Sequence, residues 1–214
     1  MTRLHWWIAC LLPVVALGVT AVLYPSLPEK IPMHWNASGE IDGWGEKWMA
    51  FLMPGMMVFI LGLLSVIPWA SPQQFEVDTF RSTYAFIVLL VMVLFGFLHG
   101  LMLLPALGYQ VPFNKLIMSG LMLFFMLLGN VLGKVQRNFF VGVRTPWTLA
   151  SERVWTETHR LAARVFVATG ILGLMTTLLG LSIFIPVGLM VASAIVIIGF
   201  SLIRYKQLER RGQL

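Results

Sequence analysis

Six long apolar stretches separated by polar loops dominate the pattern of hydrophobic and polar positions along the chain. A helix rises about 1.5 Å per residue, so roughly 20 apolar residues cross the hydrocarbon core of a bilayer. Each stretch is close to that length, and the pattern therefore predicts six membrane-spanning helices. The predicted spans cover residues 6–23, 49–69, 84–104, 116–132, 165–181 and 185–203.

The composition strengthens the prediction of a membrane protein. Of the 214 residues, 58% are hydrophobic and 11% are charged, and the mean hydropathy is +0.85. Soluble domains carry roughly 25% charged residues, so the chain is too apolar for a water-soluble core. We therefore expect an all-α, polytopic membrane helix bundle of about six transmembrane helices. The first stretch is interpreted as an uncleaved span, because it is long and other spans follow it.

The basic residues are distributed unevenly between the two sides of the predicted membrane. Lys and Arg are enriched in the cytoplasmic loops of membrane proteins. Of the 15 Lys and Arg residues, 12 fall on the side that includes both termini. The pattern therefore predicts a multi-pass protein of the bacterial cell (inner) membrane, with its N and C termini in the cytoplasm. The remaining three basic residues, on the side expected to face outward, are Lys30, Lys47 and Lys115.

The predicted loop between the first two spans, residues 24–47, is called the N-terminal loop, and it contains three prolines and three glycines. Proline restricts the backbone and glycine permits positive φ, so we expect a shaped loop with a turn at Asp42-Gly43. His34, Glu40 and Asp42 carry groups that bind metals, but their spacing matches no standard ligand pattern. We interpret them as side chains that solvate the loop and bond its turns, and we expect no metal or other cofactor.

The most basic stretch is the loop after the fourth span, residues 134–164, which we call the basic loop. Gly142 suits a tight turn, and Thr148 or Ser151 is a candidate N-cap. From Ser151 onward, apolar residues recur at helical spacing. The pattern predicts a surface helix that continues into the fifth span.

Three interpretations of the basic loop remain open from its residues alone. Its arginines suit contact with anionic lipid headgroups, because each basic residue near such a surface contributes about 1 kcal/mol. They also suit a docking face for a cytoplasmic protein. The third interpretation is a phosphate site built from Arg144, Arg160 and the amides of a helix N-terminus.

The sequence has few features typical of an enzyme or an ion-coupled transporter. We find no glycine-rich phosphate loop, nucleophile elbow or two-histidine zinc helix, so we expect no enzymatic activity. His99 is the one clear ionisable residue within the predicted spans, and we interpret it as a hydrogen-bonded interfacial histidine. Two glycine pairs have the spacing that lets helices approach closely. They are Gly96 with Gly100 and Gly129 with Gly133.

Two long motifs indicate a family. Residues 27–45 read LPEKIPMHWNASGEIDGWG, and residues 138–159 read NFFVGVRTPWTLASERVWTETH. Together they resemble the SdpI-type immunity protein family, whose members are membrane proteins that give immunity to a secreted sporulation-delaying toxin. The first motif resembles the domain of unknown function that usually precedes the family's signature, and the second resembles that signature. The resemblance implies a two-helix unit at residues 1–70 and a four-helix unit at residues 71–214.

What the resemblance implies is a non-enzymatic membrane protein that protects the cell from a membrane-active peptide toxin. It also implies signalling, in which the protein holds a cytoplasmic winged-helix repressor at the membrane without binding nucleic acid itself. Alternatives are a transporter of small solutes or lipids, and a membrane enzyme acting on lipid headgroups. The resemblance places these residues nearest the toxin: His34, Trp35, Asn36, Gly39, Asp42 and Gly43. It places these nearest the repressor: Asn138, Gly142, Arg144, Thr145, Pro146, Thr148, Trp155 and His159.

Overall fold

The computed structural model describes residues 2–73 and 76–214, and these residues form seven α-helices and one two-stranded sheet. Short 3₁₀ helices at Lys47–Phe51 and Val77–Phe80 lead directly into two of the long helices. In chain order the elements are α1 Thr2–Leu23, β1 Lys30–Trp35, β2 Ile41–Glu46, α2 Leu52–Ala70, α3 Arg81–Ala106, α4 Phe113–Leu132, α5 Pro146–Ala150, α6 Glu152–Leu178 and α7 Phe184–Arg210.

Six of the described helical segments are long and apolar enough to cross a membrane, which confirms the all-α polytopic fold and the six predicted spans. The segment containing α6 begins well before the predicted start of the fifth span. The helix expected to start after Ser151 is confirmed, because Ser151 caps α6 through a bond from the Val154 N–H to its Oγ. The cytoplasmic position of the termini stays a prediction.

Contacts divide the chain into two compact units. The first comprises Met1–Ser65 and Ala85–Leu121, and the second comprises Val66–Tyr84 and Met122–Leu214. Both units take segments from separate parts of the chain, because α2, α3 and α4 each contribute to both. The division of the chain near residue 70 stays a prediction.

In the first unit, His99 of α3 is buried against α1. Its Nε2 lies 2.8 Å from the Oγ1 of Thr20, and that hydroxyl donates to the Ala16 carbonyl at 2.8 Å. Thr20 therefore accepts from His99, and the ring carries its proton on Nε2. Among the described residues its Nδ1 has no hydrogen-bond partner, so the predicted hydrogen bonding of this histidine holds for one of its two nitrogens.

In the second unit, Gly129 sets the close approach of α4 to α6. A Cβ at Gly129 would lie 2.9 Å from both the carbonyl oxygen of Ala163 and the backbone nitrogen of Val167. This confirms the close packing predicted for the pair that includes Gly129. The same prediction is wrong for Gly100, because no described atom outside its own helical turn lies within 4 Å of the corresponding position.

Candidate functional site

The N-terminal loop folds into a β-hairpin. Strands β1 and β2 pair antiparallel, with Lys30 opposite Glu46 and Pro32 opposite Trp44, and the register shifts around His34. Ile31 of β1 is fully buried, and Pro32 beside it is buried as well. The hairpin covers a hydrophobic cluster formed with α1, the 3₁₀ helix before α2 and the end of α3. The buried residues of this cluster are Leu27, Ile31, Ala50, Met102, Leu103 and Ala106.

The turn of the hairpin is built around Asn36. Its Oδ1 accepts from the backbone N–H groups of Ser38 and Glu40 at 2.9 and 3.0 Å. Gly39 has a φ of 84°, which glycine adopts without strain. The predicted turn at Asp42-Gly43 is therefore wrong, since both residues lie within β2. A side chain at position 43 would collide with the Cβ of His34 on the opposite strand. Gly43 therefore allows the two strands to approach closely and does not form a turn.

Two residues at the start of α4 fix the tip of the hairpin in place. Asn114 donates from Nδ2 to the carbonyl of Ala37 at 2.6 Å. The ring of Phe113 stacks on Trp35 with a centroid separation of 3.9 Å and an interplanar angle of 6°. Neither residue was predicted as part of the site, because nothing in a single sequence places a fourth-span residue beside this loop. The loop is ordered by contacts that are distant in sequence.

His34 and Asp42 form an exposed pair, with 2.5 Å between Nδ1 and Oδ1. Glu40 instead accepts a bond from the Nδ2 of Asn36 at 3.1 Å. Among the described residues, no three His, Cys, Asp or Glu side chains are grouped closely enough to hold a metal ion. These contacts agree with the interpretation that His34, Glu40 and Asp42 form hydrogen bonds within the loop.

The start of the basic loop is organised by Asn138, which is fully buried. Its Oδ1 accepts from the N–H groups of Phe140 and Val141 at 2.8 and 2.7 Å. Its Nδ2 donates to the carbonyls of Gln136 and Val141 at 2.7 and 3.0 Å. One side chain thus satisfies four backbone groups, which gives the loop a defined shape without regular secondary structure.

Trp155 and His159, on successive turns of α6, hold the basic loop against the helix. The Nε1 of Trp155 donates to the carbonyl of Val135 at 2.8 Å. The two rings stack with centroids 4.0 Å apart. Both side chains are buried, whereas Glu152, Arg153 and Arg160 are exposed, so the predicted helix is present with one face buried. The loop itself covers the face.

The hydrogen bonds of His159 define its protonation. Nδ1 lies 2.9 Å from the Trp155 carbonyl, so it carries the proton and donates. Nε2 lies 3.0 Å from the N–H of Val143, so it is unprotonated and accepts. The ring is therefore neutral, and both nitrogens are occupied by the backbone. Gly142, with a φ of 114°, passes so close that a Cβ would meet the Nε2 of His159.

The short helix α5 completes the loop. Thr145 caps it and forms a reciprocal capping box with Thr148, and Pro146 occupies the first turn. The Thr145 hydroxyl lies 3.1 Å from the Oγ of Ser201 on α7. Thr145 is therefore the N-cap of α5, because the β-region backbone before Pro146 suits a cap. Of the two predicted candidates, Ser151 is the N-cap of α6, and Thr148 is the third residue of α5.

Two arginines hold Glu157 on the outer face of α6. Arg153 donates to its Oε1 at 3.1 Å, and Arg204 of α7 donates to both of its oxygens. This bidentate contact ties α6 to α7. A cleft of about 470 Å³ lies along the same face, lined by Glu152, Arg153, Thr156, Glu157 and Arg160. Arg144, the other arginine of the predicted phosphate site, is not among the described lining residues, and that site stays a prediction.

The residues predicted for the basic loop separate into two groups by exposure. Gly142, Arg144 and Pro146 are exposed, whereas the others are buried within the loop scaffold. Arg144 donates to the backbone carbonyl of Phe139, a residue that is 41% exposed. Sequence reasoning did not select Phe139. The buried group comprises Asn138, Thr145, Thr148, Trp155 and His159.

Six apolar spans joined by ordered polar loops define the chain as a multi-pass α-helical membrane protein. Residues 6–58 match a domain of unknown function, DUF1648, and residues 134–203 match the SdpI/YfhL protein family. The Immunity protein SdpI of Bacillus subtilis (strain 168) is 30% identical over 152 residues, which cover 70% of each chain. The chain belongs to the SdpI/YfhL protein family. No solved structure matches it.

Proposed function

We propose that the protein is a non-enzymatic immunity protein of a bacterial cell (inner) membrane, which protects the cell from a secreted, membrane-active peptide. The observation that carries the proposal is the similarity to the Immunity protein SdpI over 70% of the chain. The match of residues 134–203 to the same family supports it. The two ordered polar loops suit the binding of a peptide better than the catalysis of a reaction.

The distribution of basic residues supports opposite positions for the two loops. The hairpin follows the first span and the basic loop follows the fourth, so a chain that crosses at every span puts them on different sides of the membrane. Lys and Arg are enriched in cytoplasmic loops, and the basic loop carries six of them. We place the hairpin outside the cell, with the basic loop and both termini in the cytoplasm.

The hairpin is the proposed toxin-facing element. Its tip is fixed by Asn114 and by the stacking of Trp35 on Phe113, so binding would order few additional groups. Preorganisation of this kind reduces the entropic cost of association. The exposed pair of His34 and Asp42 is accessible to a peptide at the surface of the hairpin. Trp35 instead stabilises the hairpin through its stacking on Phe113.

The basic loop is the proposed docking element for a cytoplasmic winged-helix repressor, which would couple toxin sensing to transcription. The exposed residues Gly142, Arg144 and Pro146 would contact the partner, together with Phe139. The five buried residues of the loop would act by holding that surface in shape. Aromatic and arginine side chains are the types that dominate the free energy of protein interfaces, and the Arg144 guanidinium donates to the backbone carbonyl of Phe139.

A challenge experiment tests the immunity function. We expect cells of a toxin-sensitive strain that express the protein to survive higher concentrations of the cognate peptide than cells expressing an unrelated multi-pass protein to the same level. Survival curves over a peptide dilution series provide the measurement. Deletion of the gene from its own host should shift the curve the other way, and unchanged sensitivity in both strains would exclude immunity.

Arg144→Ala is expected to weaken recruitment of the repressor by about thirtyfold, because an interface arginine of this kind contributes about 2 kcal/mol. Fluorescence microscopy of the labelled repressor measures its partition between membrane and cytoplasm. Arg144→Lys keeps the charge and should retain part of the binding. Arg211→Ala, at the exposed C-terminal end of α7, is the matched control and should have no effect. Equal recruitment by Arg144→Ala would remove the docking proposal.

The hydrogen bonds of His159 disfavour the alternative of a lipid-headgroup enzyme that uses this residue. A general base needs a nitrogen that reaches the substrate, and both ring nitrogens of His159 are bonded to the backbone.

A further inference from the structure

Trp44 is the one large hydrophobic residue of the hairpin strands that is exposed, with 59% of its surface accessible. Alternation along β2 places Asp42, Trp44 and Glu46 on the outward face, and Pro32 lies opposite Trp44 on β1. A large ring that projects from an ordered sheet into solvent is unusual, because tryptophan normally buries most of its area. Trp44 did not belong to the predicted site.

The charge around Trp44 has the opposite sign to that of the whole chain. The N-terminal loop carries four carboxylates and two lysines, a formal charge of −2, whereas the chain carries +6. All four carboxylates, on Glu29, Glu40, Asp42 and Glu46, belong to exposed residues. Of the two lysines, Lys30 is exposed opposite Glu46, whereas the side chain of Lys47 is only 17% exposed and lies over the ring of Tyr24. The hairpin therefore exposes four carboxylates and one lysine, an excess of negative charge, around one exposed aromatic ring.

We infer that the outward face of the hairpin, centred on Trp44 and bordered by Asp42 and Glu46, binds a cationic peptide that carries apolar side chains. The inference rests on the proposed function, since it assigns the surface on which such a protein meets its toxin. An exposed tryptophan supplies the apolar anchor typical of binding hot spots. The surrounding carboxylates attract basic side chains and speed association.

Insertion of Trp44 into the headgroup layer of the membrane is the competing explanation for its exposure. Trp48, which is 54% exposed, fits that role because it lies in the 3₁₀ helix that leads into the second span. Trp44 lies outside every candidate span. Two flanking carboxylates disfavour its contact with anionic lipids, so a peptide is the better occupant.

The test uses the full-length protein in phosphatidylcholine nanodiscs. The probe is a short fluorescent peptide of alternating lysine and leucine, and a second peptide with glutamate in place of every lysine is the matched control. Fluorescence anisotropy, corrected for binding to empty nanodiscs, gives the dissociation constants. We expect saturable binding of the lysine peptide that weakens with added salt, and no binding of the glutamate peptide.

Trp44→Ala is expected to weaken binding of the lysine peptide at least about tenfold. Glu46→Gln, which keeps the shape of the side chain, should weaken it about threefold and reduce its salt dependence. Trp48→Ala should change it less than about twofold. Equal binding of both peptides, or an unchanged dissociation constant in Trp44→Ala, would overturn the inference. So would an equal loss in Trp44→Ala and Trp48→Ala, which would indicate a membrane contact.

Cell survival separates this inference from the proposed function. If the wild-type protein and Trp44→Ala protect cells equally, the function stands and the inference fails. If the wild-type protein gives no protection although the lysine peptide binds through Trp44, the inference stands and the proposed function fails.

Discussion

Trp155→Ala is expected to lower the apparent melting temperature by about 10 °C and to loosen the basic loop. Truncation of a buried tryptophan costs about 3–5 kcal/mol, and about 1 kcal/mol shifts the melting temperature of a chain of this size by roughly 2–4 °C. The substitution also removes the donor to the Val135 carbonyl and the ring on which His159 stacks. Thermal denaturation followed by size-exclusion chromatography in detergent provides the measurement.

Limited trypsin digestion of inside-out vesicles measures the effect of Trp155→Ala on the loop itself. Trypsin cleaves after the arginines of the loop, and it requires a locally unfolded chain. We expect faster cleavage in the variant. Trp69→Ala is the matched control, because that ring is 87% exposed and its removal should change neither quantity. A variant with wild-type melting and wild-type cleavage would show that Trp155 does not hold the loop.

Gly129→Ala is expected to lower the melting temperature by about 3 °C. The added methyl group would meet the backbone of α6 at Ala163 and Val167, and backbone atoms of a helix cannot move aside as a flexible side chain can. Overpacking of this kind costs about 1–3 kcal/mol, which outweighs the roughly 1 kcal/mol that alanine gains over glycine in helix propensity.

Gly199→Ala is the matched control for the Gly129 prediction. Gly199 lies in α7, and no described atom outside its own helical turn is within 4 Å of a Cβ at that position. The control should therefore melt at the wild-type temperature or slightly above it. An equal decrease in both variants would show that helix packing at Gly129 is not the cause.

The spans could be predicted from the sequence because bilayer thickness imposes a length on every apolar helix. Helix packing could be predicted only in part. The pairs at Gly96 and Gly129 have identical spacing, yet only the second brings two backbones into close contact. The spacing of two glycines shows that one face of a helix lacks side chains. Whether another helix packs against that face depends on the fold of the whole chain.

The hairpin could not be predicted from local pattern. Its strands contain Pro32, Gly43 and Gly45, which are residues that strands usually disfavour. The two glycines have reasons that appear only after pairing, because a Cβ at position 43 would collide with the Cβ of His34 and one at position 45 would collide with the side chain of Met33. The resemblance selected Arg144 and His159 together. Arg144 is exposed on the surface of the basic loop, whereas His159 is buried and holds the loop in place.

Accessibility of single cysteines would decide whether the two loops face opposite sides of the membrane, on which both toxin binding and repressor docking depend. Cys10→Ser removes the native thiol, and Ser38→Cys and Ala150→Cys then introduce one exposed thiol each, in the turn of the hairpin and at the end of α5. A membrane-impermeant maleimide applied to intact cells should label Ser38→Cys at once and Ala150→Cys only after permeabilisation. Labelling of Ala150→Cys but not Ser38→Cys in intact cells would contradict the proposed function.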